Sequence, residues 1–90
     1  SASARSEFMR FVSGLMMEGA ISLGEVEHPV THKKEANIPH AKFIIDTLAM
    51  LQEKTKNNLT KEEADILESI LYELRMRFVA VTAKDKKIVT

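Results

Sequence analysis

A break of about three residues, Asn57 to Leu59, separates two amphipathic stretches in this chain. It limits the fold more than any other feature. The stretch before it, residues 38–56, places Ala41, Ile44, Ile45, Leu48 and Leu51 on one helical stripe, with Phe43 and Met50 at its margins. The stretch after it, residues 61–81, carries Ala64, Leu67, Leu71, Leu74, Phe78 and Val81 at spacings of 3, 4, 3, 4 and 3, a heptad seam widened by Ile66 and Ile70. So short a connection obliges two helices to turn back on one another as an antiparallel hairpin.

The ends of both stretches carry their own signals. Asn37 suits an N-cap, and Pro39 suits a first turn, where its missing N–H costs nothing. Asn57 and Asn58 tolerate the left-handed backbone that a helix stop uses. Thr60-Lys61-Glu62-Glu63 has the capping-box pattern, with Thr60 as cap, Glu63 reaching back, and Leu59 and Ala64 in the staple positions. Acids crowd the start of this segment (Glu62, Glu63, Asp65, Glu68) and bases its end (Arg75, Arg77, Lys84, Lys86, Lys87), the order that the helix dipole favours.

A third helix is predicted over residues 6–23, after a flexible lead-in of residues 1–5. Phe8, Val12, Leu15, Gly19 and Leu23 share its stripe, Phe11 and Met16 flank it, and Gly24 serves as C-terminal cap. Met17 and Ile21 lie on the other side of the wheel, the pattern of a helix sandwiched between neighbours. Gly19 would let another backbone approach closely. Residues 24–37 form a linker that Pro29 keeps from being helical, and residues 82–90 form a basic tail, frayed or disordered.

The chain has 90 residues, 44% hydrophobic and 29% charged, which describes one folded domain. Thirteen basic side chains balance thirteen acidic ones, and the last helix begins acidic, so nucleic acid is not expected as a partner. With no cysteine there is no disulfide, thiolate metal site or cysteine nucleophile. The longest apolar run, Phe8 to Leu23, contains Arg10 and Glu18 and falls short of the roughly twenty residues that a membrane span needs. Neither a membrane span nor a signal peptide is expected, and the cytoplasm is the expected location.

Met50-Leu51-Gln52-Glu53-Lys54-Thr55-Lys56-Asn57-Asn58-Leu59-Thr60-Lys61-Glu62-Glu63 and Leu71-Tyr72-Glu73-Leu74-Arg75-Met76-Arg77-Phe78-Val79, together with Leu23-Gly24-Glu25, resemble the bacterial domain-of-unknown-function family 1844. The likeness covers residues 8–79. This chain departs from the family where Asn57 or Asn58 stands in place of a usual glycine, and where His28 to Lys34 replaces a more acidic, proline-bearing linker. The resemblance implies a short all-helical protein and supplies no catalytic residue, substrate or cofactor.

The residues themselves offer few sites for chemistry. His28 and His32 have H-x-x-x-H spacing, but Pro29 between them denies a shared helical face, so they and His40 read as loop histidines with no metal bound. The acids of residues 62–68 read as cap and dipole complement. The five methionines, Met9, Met16, Met17, Met50 and Met76, read as fillers of irregular core gaps. No glycine-rich phosphate loop or nucleophile elbow is present, and no enzyme activity is expected.

Three short helices leave more apolar surface than they can cover. A non-catalytic, homodimeric interaction module is therefore expected, with Val12, Met16, Met17, Gly19, Ile21, Tyr72, Arg75 and Phe78 as interface candidates. The alternatives are a small-ligand or metal-binding protein that uses the linker histidines, and an accessory subunit that docks on an unidentified protein.

Overall fold

The computed structural model describes residues 2–89, and the side chains of all of these except 2, 6 and 85–89. Three helices, α1 (Ala2–Ser22), α2 (Ile38–Lys54) and α3 (Lys61–Val89), each pack against the other two. No strand occurs among the described residues.

Local chemistry explains the helix ends. The Asn37 side chain caps α2 by accepting the His40 N–H at 3.2 Å. At the other end Thr55 donates both its backbone N–H (2.9 Å) and its hydroxyl (2.7 Å) to the Leu51 carbonyl, the Lys56 N–H turns to the Glu53 carbonyl at 3.3 Å, and α2 ends at Lys54, two residues before the expected end. Asn57 then takes φ 69°. The capping box forms as read: the Thr60 N–H donates to Glu63 Oε1 at 2.8 Å, and the Glu63 N–H donates to Thr60 Oγ1 at 3.1 Å. Leu59 packs on the core, but Ala64 is exposed and makes no staple with it.

α1 ends in a Schellman motif. Gly24, at φ 79°, donates to the Ile21 carbonyl at 3.0 Å, and Glu25 donates to the Ala20 carbonyl at 3.0 Å. The Ser22 carbonyl, orphaned by the helix end, receives the Asn37 N–H at 2.7 Å. The linker therefore leaves α1 and returns to the same turn, a closed loop of the Ω kind. Within it His32 holds φ 58° and donates its N–H to the His28 carbonyl at 2.8 Å.

Two further helix limits differ from expectation. α1 begins at Ala2, where a flexible lead-in was read; Ser1 lies outside the described residues. α3 does not end near Val81 but continues to Val89, because neither glycine nor proline follows Val81 to break it. The Thr82 hydroxyl folds back onto the Phe78 carbonyl at 2.9 Å and leaves the helix uninterrupted. Thr90 lies outside the described residues.

Val12 and Leu23 of the first segment, Ala41, Ile44, Ile45 and Leu48 of α2, and Leu67, Ile70, Leu71 and Leu74 of α3 make the core, with Phe8, Leu15, Leu59, Phe78 and Val81 half-buried against it. Each fully buried leucine or isoleucine contributes about 1.5–3 kcal/mol. Gly19 sits where the three helices converge. A Cβ there would lie 3.2 Å from both Leu74 δ carbons and 3.3 Å from Ile44 Cγ2. The neighbours that approach Gly19 are thus side chains of the same protomer, not a foreign backbone.

Two comparisons test this packing. Gly19→Leu is expected to cost about 1–3 kcal/mol by overpacking, whereas Gly14→Ala, on a helix face with nothing within 4 Å, should gain up to about 1 kcal/mol of helix propensity; urea midpoints of the two variants should move in opposite directions. Gly24→Ala, forced into the left-handed region, should lower the same midpoint by an amount equivalent to about 1–2 kcal/mol.

Candidate functional site

An apolar concavity lies between α1 and α3. Met16, Met17 and Ala20 form one wall, Ile70 and Leu74 the other, and Val26 of the linker closes one end; the groove has a volume of about 330 Å³. Ser69, Glu73 and Arg77 complete its α3 side. Arg77 lies 3.8 Å from both Glu73 and Glu25, long ion pairs between half-exposed groups. Further toward the helix N-termini, Met9 and Ile66 line a second hollow, so apolar side chains follow α1 and α3 over several turns.

The eight interface candidates do not form one surface. Val12 is fully buried and Gly19 is buried, both within the protomer, so neither is available to a partner; their place on the central stripe of α1 puts them in the core. Met16 and Met17, 38% and 48% exposed, line the α1/α3 groove. Ile21 faces away from it, toward the linker. Arg75 and Phe78 line a separate cleft with Lys42, Ile45 and Val79 of the α2/α3 face, and Tyr72 is exposed.

The methionines correct a second expectation. None of the five belongs to the buried core; Met9 is half-buried and the other four are exposed. The core is filled by branched aliphatic side chains, which leaves the flexible thioethers at the surface, three of them lining the hollows between α1 and α3.

The polar candidates are engaged locally. His28 Nδ1 accepts the Val30 N–H at 3.0 Å, which shapes the linker turn. His40 Nε2 lies 2.8 Å from Glu18 Oε1, tying the start of α2 to the last turns of α1, and its ring stacks on Phe43 at 6.0 Å. The histidines sharing a cleft, beside Glu18, Lys33 and Glu35, are thus His28 and His40; His32 is not among its lining residues. Among the described residues no three His, Asp or Glu side chains are grouped so as to hold a metal ion.

The acidic run of α3 is divided among separate contacts. Glu63 serves the capping box, Glu68 accepts a hydrogen bond from the Gln52 amide, and Asp65 accepts from Lys61 Nζ at 2.8 Å. That bond, and the Asp65 charge, raise the Lys61 pKa above its usual value.

Val26, Ser69, Glu73 and Arg77 were not foreseen as groove residues. Val26 had no periodic signal, because the linker is irregular. Glu73 and Arg77 did carry one, since with Ile66 and Ile70 they recur at spacings of 4, 3 and 4, but their charges hide the repeat, and Ser69 lies outside it.

No helix among the described residues is long and apolar enough to cross a membrane. Neither a curated protein nor a solved structure matches this chain. Residues 5–80 match the family model described as "Domain of unknown function (DUF1844)", which takes in the whole linker and nearly all of the three-helix core. The chain therefore belongs to the DUF1844 family.

Proposed function

We propose that this protein is a non-catalytic helical interaction module that works as a homodimer in the cytoplasm. One observation carries the reading: large apolar side chains, among them Met17 (48% exposed), Phe43, Met50, Tyr72 and Val79, stand in solvent on a protein only three helices thick. The chain exposes 6535 Å², against about 5300 Å² for a compact monomer of its 10.1 kDa mass.

The reading treats α2 and α3 as an antiparallel hairpin with α1 packed across it. Contacts at both ends support this. Gln52 meets Glu68 near the turn, and Ile45 shares a cleft with Phe78 and Val79 well away from it. A zero formal net charge favours a second copy, since no bulk repulsion opposes the meeting of identical chains. Function on this reading lies in covering apolar faces and needs no acid, base or nucleophile.

Sedimentation equilibrium of the full chain at micromolar concentration should return twice the protomer mass. A well-folded protein of 10.1 kDa throughout that range would reject the reading.

A further inference from the structure

α3 carries two heptad-spaced seams. Leu67, Leu71, Leu74, Phe78 and Val81 face the core, buried or half-buried. Offset from them by one residue, Ile66, Ile70, Glu73, Arg77, Ala80 and Lys84 recur at spacings of 4, 3, 4, 3 and 4. At 100° per residue this second set spans one stripe centred about 100° from the core. Ile70, Glu73 and Arg77 of this stripe line the α1/α3 groove, and Ile66 lines the hollow beyond it.

A seam of this period suits a partner helix, and its two central charges limit how that helix can lie. If α3 met a parallel copy of itself, like charges would stand level. Reversed about a two-fold axis midway between residues 73 and 77, Glu73 faces the partner's Arg77 and Arg77 faces the partner's Glu73. The same register sets Ile66, 38% exposed, against the aliphatic stem of the partner's Lys84, and brings the partner's small Ala80 over Ile70, which is 8% exposed and belongs mainly to the core. The stripe is thus self-complementary in charge and in size, as an isologous contact requires.

The opposite wall of the groove fits this occupant. Met16 and Met17 are exposed thioethers, and Ala20 between them and the linker is small. Unbranched methionines adjust to the surface laid against them.

We infer that the α1/α3 groove seats α3 of a second copy of this chain, in reversed direction, with Glu73 and Arg77 setting the register. This rests on the dimer reading above and assigns its interface. The α2/α3 cleft containing Arg75 and Phe78 stays outside that interface.

The test compares self-association of full-length variants by sedimentation equilibrium, with circular dichroism melts to verify folding. Met17→Glu and Ser69→Arg, both at exposed positions of the groove, should each weaken the dimer at least tenfold, whereas Met50→Glu, exposed on α2, should change it less than twofold. Glu73→Arg and Arg77→Glu should each weaken it alone, and an equimolar mixture of the two should associate more tightly than either. A monomeric wild-type chain would overturn the dimer reading and this inference with it. A wild-type dimer that tolerates both Met17→Glu and Ser69→Arg would overturn the groove assignment alone. A mixture no tighter than its components would overturn the register.

Discussion

The missing side chain at Gly19 governs how closely α1 can approach the other two helices. Leu74 and Ile44 fill the space where a Cβ would stand, one from each neighbouring helix, so a single position couples all three elements. Glycine costs about 1 kcal/mol in a helix interior relative to alanine. That cost is offset by burial of Leu74 and Ile44, 3% and 1% exposed, which a larger residue at position 19 would push apart.

The linker depends on the same end of α1. Its first residue after the helix, Gly24, is left-handed, and its last, Asn37, returns a hydrogen bond to the Ser22 carbonyl before capping α2. Both ends of the loop are thereby tied to one helical turn, and the His40–Glu18 contact adds a third tie nearby. This arrangement sets where α2 begins, and through the core it sets where α2 meets α3. Val26 is carried by the loop to the end of the α1/α3 groove, which is how an irregular segment comes to line an apolar surface.

Much of the core was legible from periodicity alone. The stripes through Val12 and Leu23, through Ile44 and Leu48, and through Leu67 and Leu74 are the buried ones, because a helical face repeats with a period that side-chain chemistry reveals directly. The candidate site was less legible. Met16 and Met17, expected both as core fillers and as interface candidates, are exposed, and Val12 and Gly19 could not be told from them by spacing, since one wheel position does not say whether its neighbour is an internal helix or solvent. The methionines were misplaced for a related reason: a thioether suits both a core gap and an exposed groove, and only the branched residues available elsewhere decide which it fills.

What the sequence determined by itself is local. The Asn37 cap, the Thr60–Glu63 box, the left-handed stops at Gly24 and Asn57 and the three apolar stripes each follow from groups within a few residues of one another, where the geometry is that of the chain itself. The tertiary structure alone decided which side of α1 turns toward α3, that His28 shares a cleft with His40 and not with His32, and that an apolar groove runs between the first and last helices. Those outcomes depend on residues fifty or more positions apart, or on the path of an irregular linker. Their placement is settled by how three helices pack at once around Gly19, and no periodic pattern along the chain encodes it.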